Sequence, residues 1–107
     1  MTTLVTAEQP NERSAEAAEL RERQVRLLRL HHDLIRTGVL VRVRKPRNGR
    51  WKLTLRSREA RWTETVLCAG AEGTYAYVTG HGRLLGSADN PRGVVQTLTW
   101  MIEGQHR

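Results

Sequence analysis

Nine cationic side chains fall within twenty residues of this chain: Arg42, Arg44, Lys45, Arg47, Arg50, Lys52, Arg56, Arg58 and Arg61. One acid, Glu59, stands among them. The rest of the 107 residues hold nine bases and ten acids, so the net charge of +7 resides in this one window. Guanidinium and ammonium groups at this density suit the binding of a polyanion, and nucleic acid is the commonest one.

Other chemistry has weaker support. Cys68 with His81 as base would make a nucleophilic pair, but a reactive thiolate needs an exposed, electropositive setting. Cys68 follows Val66-Leu67 and reads as a small buried hydrophobe. His31 and His32 are adjacent, whereas helical metal ligands stand three or four apart on one face. No Cys or carboxylate cluster completes a site, so neither a metal nor a cofactor is expected. Glu59, Glu64 and Glu72 form no general acid–base pair, and the chain is expected to be non-enzymatic. Gly80-His81-Gly82-Arg83-Leu84-Leu85-Gly86 has glycines like those of a dinucleotide fingerprint. That fingerprint needs a helix directly after it, and here a strand follows.

The bases must be positioned by secondary structure. From Val39 the hydrophobic period is two: Val39, Val41 and Val43 alternate with Leu40, Arg42 and Arg44, and Trp51, Leu53 and Leu55 with Lys52, Thr54 and Arg56. Each run predicts a half-buried strand with a basic outer face. The turn contains Pro46-Arg47-Asn48-Gly49. A two-residue loop would pair Val43 with Thr54 and mismatch the faces. A loop of odd length pairs Val43 with Leu53 and Arg44 with Lys52, so a three- or five-residue turn is expected, with Gly49 left-handed at a bulge. Arg44 opposite Lys52 is a like-charge contact with no structural benefit, and such local costs tend to mark functional surfaces. Basic edge strands also resist aggregation, but one Lys would suffice for that. Trp51 shares a face with Leu53 and Leu55 and is expected in the core. Trp62 either packs under the sheet edge or stacks on a base.

Residues 1–10 lack periodicity and are expected to form a flexible arm. A single α+β domain is expected over 11–107. Its first helix is predicted from about Asn11 to Thr37, with Pro10 in the first turn and Gly38 as C-cap. Leu20, Leu27 and Leu34 recur every seven residues. They pack either on the sheet or in a coiled coil joining two chains. Further strands are predicted over Arg61–Ala69, Thr74–Thr79 and Arg83–Ser87. A second helix runs from Pro91 to Glu103, capped through Asp89-Asn90. The expected fold is α+β: an antiparallel sheet of about five strands between a long N-terminal and a C-terminal helix, in the order α-β-β-β-β-β-α. A lone cysteine favours a reducing cytoplasm. No apolar run approaches the ~20 residues that span a bilayer, and the N-terminus has no secretory pattern.

Gly49-Arg50-Trp51-Lys52-Leu53-Thr54-Leu55-Arg56, with Leu85-Gly86-Ser87-Ala88-Asp89 leading into a helix, resembles the ethylene-response-factor type of DNA-binding domain. Like the integrase arm-binding domains, that family lays a three-stranded sheet in the major groove and backs it with a helix. The resemblance implies that Arg42, Arg44, Arg50, Lys52 and Arg56 face DNA. It covers about twenty residues, and this chain has an additional strand pair and the long leading helix. The stretch Gly82 to Gln96 is similar to small uncharacterised actinobacterial proteins, some of which accompany helix-turn-helix regulators. The helix–strands–helix order is also that of double-stranded-RNA-binding domains, but those need bases at the second helix's N-terminus, where this chain has Asp89-Asn90-Pro91-Arg92-Gly93. Two classes of function therefore stand. The first is a small DNA-binding or accessory regulatory protein working through the hairpin 42–61. The alternative is a dimeric interaction module, adaptor or chaperone-like, whose basic face meets an acidic protein. No membrane partner is expected.

Overall fold

Strong alternation in the middle of the chain and helical periodicity at both ends give seven elements. They are α1 (Thr2–Ile35), β1 (Leu40–Arg44), β2 (Lys52–Arg56), β3 (Thr63–Ala71), β4 (Thr74–Thr79), β5 (Leu84–Ser87) and α2 (Pro91–Gly104). The computed structural model describes residues 2–45, 47, 50–59 and 62–104, with side chains from residue 14 onward. The strands form one antiparallel meander in the order β1-β2-β3-β4-β5, the α+β architecture expected from the sequence.

Both helices cover the same face of the sheet. Leu53, Leu55, Val66, Tyr75, Tyr77 and Leu85 are buried on that face. Leu27, Leu30 and Leu34 from α1 and Val94, Leu98 and Ile102 from α2 pack against them. Each such side chain contributes roughly 1.5–3 kcal/mol relative to exposure, so this single layer of aliphatic contacts is the main source of stability.

The helix begins earlier than expected. The segment before Pro10, expected as an arm outside the helix, has helical backbone from Thr2 onward. Ala7, Glu8 and Gln9 are good helix formers and continue the helix past a proline that removes one backbone donor. Its C-terminus tightens over 36–38. Thr37 N–H donates to Leu34 O at 3.0 Å and Gly38 N–H to Ile35 O at 3.1 Å, with Gly38 at φ +84°. Among the described side chains of α1, buried ones occur from Leu27 onward, and residues 14–18 are exposed.

Leu27 and Leu34 are 1% and 0% exposed inside the fold. They therefore cannot form the interchain seam for which Leu20, Leu27 and Leu34 were candidates. A seven-residue spacing suits a core stripe as well as a coiled coil, and here the sheet takes it. Leu20 lies a turn or two further out and is 43% exposed.

The hairpin register is the one that face-matching requires: Val43 pairs with Leu53, and Arg44 with Lys52. The connection is longer than expected, because the ladder stops at Arg44 and Lys52 and leaves the seven residues 45–51 between the strands. Pro46 has no N–H to lend to a ladder, and the odd loop length preserves the register. The bulge expected at Gly49 lies outside the described residues, as do Pro46 and Asn48. The β3–β4 connection is tight. Ala71 pairs with Thr74 across Glu72 and Gly73, whose φ angles are +53° and +82°, the pattern of a type I′ turn. Asn90 caps α2, its Oδ1 accepting from Gly93 N–H at 3.2 Å.

Candidate nucleic-acid interface

The face of the sheet away from the helices carries the alternate residues. On β1 these are Leu40, Arg42 and Arg44, all exposed, and on β2 they are Lys52, Thr54 and Arg56. Register brings them into rows. Arg44 stands opposite Lys52, Arg42 opposite Thr54, and Leu40 opposite Arg56. The rows continue onto β3, where Thr54 meets Thr65 and Arg56 meets Thr63. Along one strand, Arg42 and Arg44 are about 6.8 Å apart in axial rise. Among the described strand residues of β1, β2 and β3 the one acid is Glu64, which by register opposes the buried Leu55 and borders this face only at the Arg50–Lys52 edge.

Two shallow depressions mark the surface. One, of about 270 Å³, is bounded by Leu40, Arg42, Arg44, Thr54 and Arg56. The other, of about 510 Å³, is bounded by Arg50, Lys52, Thr63, Glu64, Thr65, Leu67, Gly80 and His81. Cations and hydroxyls, with Glu64 at one edge, thus share one open, unroofed surface. It suits contact with an extended polyanion and gives no enclosure for a small substrate.

The nine bases of the window do not all converge. Arg42, Arg44, Lys52 and Arg56 form the face, with Arg50 at its rim. Lys45 turns back over the Trp51 ring, 5.6 Å from its centroid. Arg47 is exposed in the connection. Arg58 follows the end of β2 and lies beside Gly38 and the C-terminal part of α2, in a depression that Leu40 and Arg56 border from the face. Arg61 lies outside the described residues. Thr63 and Thr65 were not singled out by sequence reasoning, and His81 was weighed only as a base for Cys68. Extending the face-matching argument from β1–β2 to β2–β3 would have found the two β3 threonines.

Trp51 and Trp62 both pack against the core, half-buried. The loop that carries Trp62 is closed by Ser57: Ser57 N–H donates to Trp62 O at 3.0 Å, and Trp62 N–H donates to Ser57 Oγ at 3.2 Å. Cys68 lies on the helix-covered side, paired with Tyr77. Burial pushes its thiol up to about 11 against the opposing pull of Arg26 and Arg23, so the group is protonated at neutral pH. Among the described residues, no three or more His, Cys, Asp or Glu side chains are grouped to hold a metal ion. Among them too, no helix is long and apolar enough to cross a membrane.

Arg23 and Arg26, outside the window, stand four residues after Glu19 and Glu22 and pair with them as that spacing allows, and both also make long-range contacts that local spacing does not show. Arg23 Nε donates to Gly70 O at 2.8 Å, tying α1 to the end of β3. Arg26 bridges Glu22 at 2.9 Å and Asp89 at 3.1 Å, and its guanidinium lies 4.8 Å from the centroid of the Tyr75 ring. Asp89, by hydrogen bonding, is the largest cause of the raised pKa of Arg26. These contacts fix the helix across the sheet and leave the opposite face free.

Comparison with known proteins gives no matching family model, no matching curated protein and no matching solved structure.

Proposed function

We propose that the chain is a small non-enzymatic DNA-binding or accessory regulatory protein that contacts duplex DNA through the open face of the β1–β2 hairpin. One observation carries the reading. Arg42, Arg44, Lys52 and Arg56 share the open face of the hairpin, where Glu64 at one edge is the one acid among the described strand residues of β1, β2 and β3, and Arg44 and Lys52 stand directly opposite each other. Like charges opposed on a sheet destabilise it by up to about 1 kcal/mol, and an anionic partner would remove that cost. A two-stranded ribbon fits the major groove, and threonine hydroxyls among the bases suit hydrogen bonds to phosphate oxygens. The sheet is backed by helices on its other side only, as the groove-binding mode of three-stranded-sheet domains requires.

Binding to phosphates releases counterions, so affinity should fall steeply with salt. With roughly four to six phosphate contacts the log–log slope is expected near −4 to −5. Fluorescence anisotropy on a random duplex measures it. A folded protein that binds no duplex at low salt would overturn the reading.

Leu40 favours the second reading, an acidic protein partner. It is 50% exposed and sits beside Arg56 on the basic face, where an apolar group adds little to phosphate binding. Pull-down with and without nuclease separates the two. Partners lost on nuclease treatment indicate DNA, and an acidic protein retained indicates an interaction module.

A further inference from the structure

Once Leu27, Leu30 and Leu34 are assigned to the core, α1 has a second apolar stripe on its opposite side. Val25, Leu28 and Ile35 are 54%, 39% and 52% exposed. With Ala18, Arg21 and His32 they follow alternate three- and four-residue steps over residues 18–35, the spacing of a helix–helix seam. Over the described side chains before Leu27, from residue 14 on, none is buried.

We infer that this stripe is the contact surface for a second copy of the same chain, with the two α1 helices antiparallel. The flanking charges select the partner and the direction. Pairing Val25 with Leu28 of the second copy, and Leu28 with its Val25, makes a two-fold contact in which each copy presents the same surface. Ala18 then meets Ile35 of the second copy, and Arg21 meets its His32 rather than a second arginine. The same alignment places Glu22 beside Arg29 of the second copy and Arg29 beside its Glu22. Gln24 faces His31 on the other flank. Glu22 already accepts from Arg26 at 2.9 Å, but its carboxylate is 45% exposed and has remaining acceptor positions for a second guanidinium. A parallel pairing would instead oppose Arg21 to Arg21 and His32 to His32, and would bring no acid to Arg29 or Arg36. The overlapping stretch of eighteen residues is about 27 Å long.

Sedimentation equilibrium of the full chain, freed of nucleic acid, tests the association. At tens of micromolar the protein is expected to sediment at twice its 12.2 kDa. Leu28→Glu should make it monomeric while leaving circular dichroism unchanged, with the melting temperature of the unsubstituted chain at a dilution where that chain too is monomeric, because Leu28 is outside the core. Glu22→Arg or Arg29→Glu alone should weaken association at least several-fold, and the two together should restore it. Orientation is read by cross-linking in a Cys68→Ala background under a thiol oxidant. V25C mixed with L28C should give a mixed disulfide dimer, and V25C alone should not. A monomer at these concentrations overturns the proposal, as does a dimer indifferent to Leu28→Glu. Self-cross-linking of V25C, or no mixed product, overturns the antiparallel arrangement.

Discussion

The hydroxyl of Tyr77 donates a 2.6 Å hydrogen bond to the main-chain carbonyl of Arg26, joining the centre of the sheet to the middle of α1 across 51 residues of sequence. Tyr77 is 0% exposed, and desolvation is the main cause that pushes its hydroxyl up to about 12. The bond places Leu27 and Leu30, on either side of that turn, over the sheet. It adds a polar tie to the aliphatic contacts that hold the helix on this face of the sheet.

Alkaline pH should weaken the fold through this group. Below pH 10 the hydroxyl is protonated in both folded and unfolded chains, and the bond has its full effect. Between the ordinary value of 10.0 and the folded value of about 12, the unfolded chain releases a proton that the folded chain keeps, so stability falls as pH rises. Cys68, raised from 9.0 to about 11, begins the same loss a unit earlier. The Tyr77 contribution is on the order of 2 kcal/mol over its window. Tyr77→Phe is expected to cost about 1 kcal/mol at neutral pH and to flatten stability between pH 10 and 12. Urea melts across that range measure both; an unchanged alkaline limb would place the lability elsewhere.

The two leucine stripes of α1 should respond oppositely to one substitution. Leu34→Ala removes a fully buried side chain and is expected to cost about 2–5 kcal/mol. Leu28→Ala, on a half-exposed side chain, should cost well under 1 kcal/mol in the separated chain. Denaturant midpoints of the two variants, at a concentration that keeps the chain monomeric, give the comparison. Equal losses would mean that the helix is rotated from the arrangement described.

Much of this organisation is written in local pattern. Parity alone places Val43 opposite Leu53, because a one-residue slip would turn Thr54 inward. Asn90 before Pro91 marks a helix start, since only a short polar acceptor reaches the Gly93 N–H. The role of Leu27 and Leu34 is ambiguous in sequence, because 3.5- and 3.6-residue periods diverge too slowly over two heptads to separate a seam from a core stripe. The Arg26–Asp89 bridge spans 63 residues and leaves no local trace. Within the basic window, charge density finds the surface but not its members. Arg58 and Lys45 count toward the charge, yet the fold turns one to the Gly38 end and the other over Trp51.

Two glycines in the β3–β4 hairpin should differ sharply. Gly70 has φ +114°, and a Cβ there would meet the Thr74 carbonyl oxygen of the pairing strand, which cannot withdraw without breaking the ladder. Gly70→Ala is expected to unfold the domain or cost more than about 3 kcal/mol. Gly73 has φ +82° but open space around it, so Gly73→Ala should cost only about 1–2 kcal/mol of left-handed strain. Thermal melts of both variants decide the matter. A mild Gly70→Ala would mean that the strand end is pliable and that Arg23 does not hold it.

The hairpin itself separates function from fold. Arg44 and Lys52 are opposed on the open face, outside the core, and their repulsion costs up to about 1 kcal/mol. Threonine is a good strand residue, so replacing both by Thr should leave the melting temperature unchanged or slightly raised. If the face contacts phosphates, the same double change should weaken binding at every DNA sequence tested. It should also make the salt slope shallower by about 0.9 for each lost contact, or roughly two in all. A control pair at Lys45 and Arg58, which the fold directs away from the face, should alter the slope little. Melts and anisotropy titrations on one preparation give both quantities. Lost stability with intact binding would mean that these bases serve the fold, and that any polyanion is held by another surface.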